Sequence, residues 1–513
     1  MPLRSIHDFE LALVAPCLAM EERGLLVDDA RRCQMIADLQ ASIVPQEASV
    51  AAAVIPLLRD GIPKEHLFRE KWMCPCCRNG VGKRRACWEC AGLPKKPGKA
   101  ATALLAPCAK CNGDGSRESW VFNPKGAEQK KIVLYSLLKL PKKLNKDKKL
   151  SVEENALKEL VPHDTSGVVV ALLRLGKVHT IISILKRLAP AEDDPRAETW
   201  DHRIHTFLNP AGTETGRFSH SESWLEVSTN LGNLPKKEAA KDPMFEVRRC
   251  LVPDEGEVFC EGDLSQAEAR IVAALCGDRE LLAKLDDPTY DMHRESAAIA
   301  LSKDLGLVTK AERNAVGKTV KHATNYGESW KAFLRTVNND ADMHGVTLIA
   351  ASAKRAIRNV YERSRRLGPW WQRVEGALRG EGTLTTCFGR KRQFFGRRGS
   401  LTGDWVAQAL QGFGISDPVL REAIAFEPQS TVADLLNRGL LRWWRQHDGR
   451  WGRLLLQVHD SVLLSVPVAQ AAVATKLLKA CLEEEITVNG IRLVIPAEVS
   501  IGREHWAAME KVA

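Results

Sequence analysis

Two aspartates set the chemistry this chain could perform. Asp263 closes the apolar run Glu257-Val-Phe-Cys-Glu-Gly262 and opens Asp263-Leu-Ser-Gln-Ala-Glu-Ala-Arg270, while Asp460 lies inside Leu454-Leu-Leu-Gln-Val-His-Asp-Ser-Val-Leu-Leu464. Both fall where a strand-forming run stops or turns. Two carboxylates brought together from separate strands can hold a pair of divalent cations for phosphoryl transfer. Singly, each has a plainer reading, since aspartate is common before helices and in hairpin turns. It is the pairing that favours chemistry.

A second set of residues lies between them. Thr309-Lys-Ala-Glu312 reads as a capping box opening a helix on which Lys318, His322 and Tyr326 recur every four residues, with Val316, Val320 and Ala323 roughly opposite. An amphipathic surface helix would show the same pattern. Ser265-Gln-Ala-Glu268 reads as another capping box, before a helix carrying Ala269 to Leu275. His293 stands in Asp291-Met-His-Arg-Glu-Ser296, which alone is weak evidence of a site. Donors suited to the sequence-independent acceptors of a DNA minor groove are spread more widely. Arg217 lies in Thr215-Gly-Arg-Phe-Ser219 and Asn230 opens Asn230-Leu-Gly-Asn-Leu-Pro235, but singly each of these, like Arg421, Gln429 and His459, reads as an ordinary surface or capped polar residue.

The segments around Asp263, from Arg313 to Trp330, and around Asp460 resemble the three polymerase motifs of DNA polymerase family A, in the same order. That resemblance implies a template-directed DNA polymerase using two Mg2+ ions held by Asp263, Asp460 and the Leu264 carbonyl. It implies a triphosphate pocket built from His293, Lys318 and His322, with Lys321 as a reserve cation. It also implies that Tyr326 hydrogen-bonds Glu268, which crowds the sugar C2′ position and selects deoxynucleotides. Primer-template contacts fall to Arg217, Asn230, Arg421, Gln429 and His459, and Gly389-Arg-Lys-Arg392 resembles a further family segment. The chain departs from the family at several places. Ser461 stands where a glutamate is usual, which puts a third carboxylate in doubt; Lys318 (for an arginine), His322 (for a lysine) and Trp330 are also departures, as are Ala425 and Ser430.

The elements that would position these groups suggest an α+β fold, a palm sheet interrupted by helical fingers. Ile6 to about Leu58 reads as helix, with Leu11, Leu13, Val14, Leu18 and Met20 at helical spacing. The expected divisions are 1–70 as the start of the polymerase module and thumb, 71–118 as an insert, 119–200 as the rest of the thumb, 201–278 as palm, 279–418 as fingers and 419–513 as palm again. A run with Lys139, Lys142, Lys143, Lys146, Lys148 and Lys149 is either a solvated loop or a phosphate-contacting thumb tip. Nothing upstream of Ala19-Met-Glu-Glu-Arg-Gly-Leu-Leu-Val-Asp28 is long enough for a proofreading domain, so no exonuclease is expected.

The insert has its own grammar. Of the chain's 14 cysteines, seven fall between Cys74 and Cys111, including the pairs Cys74/Cys77, Cys87/Cys90 and Cys108/Cys111. Cys-x-x-Cys pairs in a segment with little apolar material point to one or two structural Zn2+ ions, and Asn112-Gly-Asp-Gly115 resembles the zinc domain of DnaJ-type chaperones. In the family, some phage polymerases carry a processivity-factor module at this place in the thumb. A phage or mobile-element polymerase with such a partner is therefore expected, working in the bacterial host cytoplasm.

Bulk properties agree without deciding the matter. A 513-residue chain with 44% apolar residues can build several cores, and a formal charge of +10 favours a polyanionic partner. No apolar run approaches the ~20 residues of a membrane span, so no membrane partner is expected. Two other readings stand: a single-subunit RNA polymerase or reverse transcriptase with the same two-aspartate chemistry, against which Glu268 argues, and a non-catalytic DNA-binding replication scaffold.

Overall fold

The computed structural model describes residues 5–59, 69–73, 116–120, 126–191, 193–223, 226–235, 243–395, 401 and 403–512. The chain divides into two compact units, one made of residues 1–40 and 178–513, the other of 41–177.

The larger unit is organised by a five-stranded sheet. Its order is Arg453–Val458, Ser461–Pro467, Glu257–Leu264, Ala497–Gly502 and Met509–Lys511, with every neighbour antiparallel. Alternation along the central strand explains its register. A Cβ at Gly262 would meet Leu482 Cδ1 at 2.5 Å, so that face lies against the helix Ala471–Leu482 with no room to spare. Glu261 and Asp263 point to the opposite face, because side chains alternate along a strand. The hairpin Arg453–Pro467 is buried at nearly every strand position, and its tip is the two-residue turn His459-Asp460. His459 has φ of 55°, the left-handed conformation such a tight turn requires.

Helices follow Asp263 as expected. They include Ala267–Leu275, Met292–Leu301, Lys318–Asn325, Trp330–Asn339, Ala350–Arg363, Leu367–Arg379 and the long Pro418–Gln446. The predicted capping box at Thr309 is present, with Thr309 and Glu312 exchanging side-chain to backbone hydrogen bonds. The one predicted at Ser265 is not. The central strand continues through Leu264, Ser265 Oγ donates to Glu498 Oε1 at 3.2 Å, and the helix starts instead from Gln266 in a left-handed conformation without a side-chain cap.

Three further expectations need correction. The first 59 residues form two helices, Ile6–Arg23 and Asp29–Arg59, parted by the strand Leu25–Val27, which pairs with Arg203–Ile204 and Leu251–Val252. On the first helix the buried stripe is Phe9, Leu13, Cys17 and Met20, while Leu11, Val14 and Leu18 are exposed. Of the five apolar residues at helical spacing, Leu13 and Met20 belong to the buried stripe and the other three face outward. Finally, Val168–Arg187 is a helix long and apolar enough by composition to cross a membrane, contrary to the sequence reading. Its buried positions Val168, Val169, Leu172, Leu175, Val178, Ile181, Ile182 and Leu185 form a stripe at helical spacing, the signature of a core helix.

The smaller unit has its own core of Val50, Val54, Val133, Leu134, Leu157, Leu160, Val168 and Leu172. The lysine-rich run lies between Ile132–Leu137 and Glu154–Leu160, mostly exposed, with Lys143 paired to Glu159 at 2.7 Å. The strands Arg69–Met73 and Ser116–Trp120 form an antiparallel ladder that joins the two ends of the expected insert. Cys74, Cys77, Cys87, Cys90, Cys108 and Cys111 lie outside the described residues.

Candidate active site

Register brings the two aspartates together. Ser461 is the direct cross-strand partner of Asp263, and the Leu264 N–H donates to the Asp460 carbonyl at 3.2 Å. The carboxylates therefore arise from backbones already joined by a hydrogen bond, although they stand far apart in sequence. Leu264 has a buried side chain, so only its backbone can take part in chemistry.

A chain of polar contacts extends from this pair. Arg217 Nη2 donates to Glu268 Oε1 at 2.8 Å and lies 3.6 Å from Asp460 Oδ1. The Tyr326 hydroxyl donates to Glu268 Oε2 at 2.7 Å, so one carboxylate is held by two donors from different elements. Tyr326 is buried, and burial, with the charge of Glu268 next, pushes its phenol well above the ordinary value. It stays a neutral donor at any working pH. The predicted Tyr326–Glu268 contact is thus present, and Arg217, expected as a primer-template contact, is paired with Glu268 beside Asp460.

The loop carrying Arg217 is anchored from behind. Ser430 Oγ donates to the Thr215 carbonyl at 2.9 Å and Asn437 Nδ2 to the Gly216 carbonyl at 3.0 Å, both from the helix Pro418–Gln446. Gly216 has φ of +76°, and a Cβ there would overlap the Arg390 guanidinium at 2.7 Å. Arg390 in turn makes a bidentate pair with the fully buried Asp434 and reaches Glu10. Sequence reading gave Arg390 only a basic-loop role and passed over Asp434 and Asn437. An aspartate inside an apolar helical run was the available signal, since such a charge needs a partner.

The triphosphate-side residues divide into two groups. Lys318 and His322 are exposed along one face of their helix, as the spacing predicts, while Val316, Val320 and Ala323 are buried. The His322 ring packs edge-on to Tyr326 with centroids 4.9 Å apart, and its Nδ1 lies 3.9 Å from Glu328 Oε1. Lys321 is not a reserve cation. It is turned inward and buried, lining a cavity of about 250 Å³ with Cys276, Asp278 and Glu295, and burial lowers its pKa. His293 is half-buried. Desolvation first, then the positive charges of Arg313 and Lys318, lowers it to about 4, so it acts as a neutral imidazole whose Nδ1 has no hydrogen-bond partner among the described residues.

Arg313, which strict four-residue counting passes over, lies beside His293 and Asp291. The turn Arg313–Gly317 is π-helical, which adds a residue to the turn and places Arg313, five positions before Lys318, within electrostatic reach of His293. Its Nε also donates to Asp291 Oδ2 at 2.5 Å. Gly317 completes the packing, because a Cβ there would lie 1.9 Å from the His293 carbonyl oxygen.

The expected DNA contacts are less concentrated. Arg421 is exposed and Gln429 half-buried, eight residues apart on the Pro418–Gln446 helix and so about two turns along one face. Asn230 donates to the His220 carbonyl at 2.8 Å, leaving its Oδ1 buried without a partner. His220 is lowered to about 4 by burial and then by His459, which places it beside the hairpin tip.

The donor set suits a hard cation. Asp263, Asp460 and a backbone carbonyl offer oxygen only, and among the described residues no group of three or more His, Cys, Asp or Glu forms a closed metal cage. An open, two-carboxylate site is what Mg2+ requires when substrate phosphates and water supply its other ligands.

The comparisons agree with this geometry. The chain aligns with DNA polymerase I, thermostable, of Thermus filiformis at 28% identity, covering 74% of this chain and 41% of that protein. Its counterpart from Thermus aquaticus is 25% identical over 76% of this chain and 42% of its own length. The chain thus spans about two fifths of these curated relatives. The POL domain of Pol1 from M. smegmatis, solved with DNA primer-template and dNTP, superposes with a TM-score of 0.65 at 21% identity, covering 97% of this chain and 70% of that one, a likeness of fold. The family model for DNA polymerase family A matches residues 113–508, which take in both aspartates, the Tyr326–Glu268 contact and the Arg217 loop, and the chain belongs to that family.

Proposed function

We propose that this protein extends the 3′ end of a DNA primer on a DNA template with deoxynucleoside triphosphates, Asp263, Asp460 and the Leu264 carbonyl holding two Mg2+ ions. The observation that carries this reading is the cross-strand junction at Leu264 and Asp460, with Arg217, Glu268 and Tyr326 tied to it. Bound there, the metal would activate the 3′ hydroxyl and neutralise charge on the departing pyrophosphate. The chain's own groups do the rest. Lys318 offers a point charge to phosphate, and neutral His293 offers its ring as a hydrogen-bonding group. Glu268, fixed by two donors, cannot swing aside to admit a 2′ hydroxyl, which favours deoxynucleotides over ribonucleotides. That preference separates this reading from an RNA polymerase.

Residues 71–118 are proposed to bind one or two Zn2+ ions through the three Cys-x-x-Cys pairs and to meet duplex phosphate or a processivity partner. Their spacing supports this, as does the ladder that closes the base of the segment. Primer extension with Mg2+ and either deoxy- or ribonucleotides tests the main proposal. Asp263→Ala or Asp460→Ala should slow extension by roughly a thousandfold or more, a loss of several kcal/mol of charge stabilisation. DNA affinity should stay within about threefold, since binding rests on many phosphate contacts. Extension that survives either change, or equal use of ribonucleotides, overturns it.

A further inference from the structure

Glu261 occupies a place that the two-aspartate reading leaves unexplained. It lies two residues before Asp263 on the same face of the central strand, and its Oε1 accepts from Ser461 Oγ at 2.8 Å. Ser461 directly follows Asp460 and is the cross-strand partner of Asp263, so the Glu261–Ser461 contact is a diagonal pair across the seam where the two catalytic carboxylates meet. Ser461 is buried, and its hydroxyl also lies 3.1 Å from the Val458 carbonyl across the hairpin turn. The second oxygen of Glu261 faces the Trp506 indole N–H at 3.4 Å, and the Arg248 guanidinium stacks 3.8 Å from the centre of that indole.

A carboxylate here has two possible reasons to exist. One is to balance Arg248, whose Nε and Nη2 are buried without hydrogen-bond partners. The other is to latch the turn that carries Asp460 onto the strand that carries Asp263. The contacts favour the latch, because Glu261 makes its shorter hydrogen bond to Ser461 and reaches the stacked Arg248–Trp506 pair only through the longer indole contact.

We infer that Glu261 is a positioning residue of the catalytic centre, setting the separation of Asp263 and Asp460 through the hydrogen bond it accepts from Ser461. The inference rests on the polymerase reading. A carboxylate acting through the residue next to a metal ligand governs how well the two ligands are held for the ion, as outer partners do at other metal centres.

The test compares E261A, E261Q, S461A and the exchange E261S/S461E with the wild-type chain, each bound to a dideoxy-terminated primer-template and a matched dNTP. Mn2+ binding is followed by electron paramagnetic resonance, beside Mg2+ titrations of single-nucleotide incorporation on extendable primers. E261A and S461A should each weaken Mn2+ binding by about threefold or more and raise the Mg2+ midpoint, with DNA affinity unchanged. E261Q keeps an acceptor for the Ser461 hydroxyl and should stay close to wild type, and the exchange should recover most of the loss. Wild-type Mn2+ affinity in S461A, or E261Q as impaired as E261A, overturns the inference. S461A, a change of one oxygen atom, keeps the question open to decision if E261A or the exchange does not fold. W506F provides the contrast, since it removes the other Glu261 contact and should lower thermal stability without moving the Mg2+ midpoint. If the wild-type chain extends no primer, the polymerase reading itself fails; if it extends primers and every variant matches it, only the latch fails.

Discussion

The sheet and the helix that face each other across this site are built on different principles. On the sheet, Asp263 and Asp460 are fixed by backbone register, and a slip of one residue would turn both to the wrong face. On the Lys318–Asn325 helix, which cations reach the site depends on helical phase, and one added residue in the Arg313–Gly317 turn changes the answer. The sheet tolerates little and the helix can be retuned. Departures from the family fall on both: the two aspartates are kept, but Ser461 differs on the sheet beside Asp460, while Lys318, His322 and Trp330 differ on or beside the helix.

The sharpest way to break that contrast is to attack the buried scaffold on the sheet side. Arg390→Met leaves Asp434 fully buried and unpaired, so it should destabilise by about 3–5 kcal/mol. Replacing both together, Arg390→Met with Asp434→Leu, should cost much less, because an apolar pair of similar volume removes the desolvated charges, leaving Glu10 to solvent. Urea midpoints of the single and the double variant check this. The single variant should also loosen the Arg217 loop, since Arg390 backs Gly216 directly. A double variant that costs as much as the single one or more would mean the pair is not coupled.

How much of this was legible in the sequence follows from the same contrast. The aspartates, Glu268, Tyr326 and Arg217 could be found because each sits in a local pattern tied to a strand end, a helix start or a glycine turn. Arg390–Asp434 could not, for its two halves are 44 residues apart and only their joint burial reveals the partnership. The phase errors have one cause. Leu11, Val14 and Leu18 fit helical spacing as well as the truly buried stripe does, and Lys321 sits next to His322 with nothing local to show that a helix rotates it inward. Spacing fixes a period; only packing fixes which face is inside. The false capping box at Ser265 is a related case, in which the strand's ladder outlasted a good local helix signal.

Titration offers a milder probe of both sides at once. His220, beside the hairpin tip, and His293, beside Lys318, are each lowered to about 4, first by burial. The unfolded chain takes up these protons near pH 6.5 and the folded chain does not. Stability from both groups is therefore complete above about pH 6.5 and falls as pH drops toward 4, by up to about 3 kcal/mol for each. Unfolding midpoints measured between pH 4 and 7.5 should show this slope in the wild type. His220→Gln and His293→Gln should each remove about half of it, and an unchanged slope in either variant would place the titrating groups elsewhere.

The smallest effect separates the two lysines that sequence alone could not rank. Lys318 is exposed on the face it shares with His322, so Lys318→Ala should raise the KM for dNTP by roughly tenfold, the loss of one charge-assisted phosphate contact. Lys321→Met should leave KM and kcat unchanged. It should also hold or slightly raise thermal stability, because it takes an ammonium out of a buried site that already disfavours the charge. Single-nucleotide incorporation kinetics and a melting curve for each variant decide it. If Lys321→Met raised KM as Lys318→Ala does, the helix would have to turn during catalysis, and phase would be something this enzyme adjusts in each cycle instead of a fixed property of its fold.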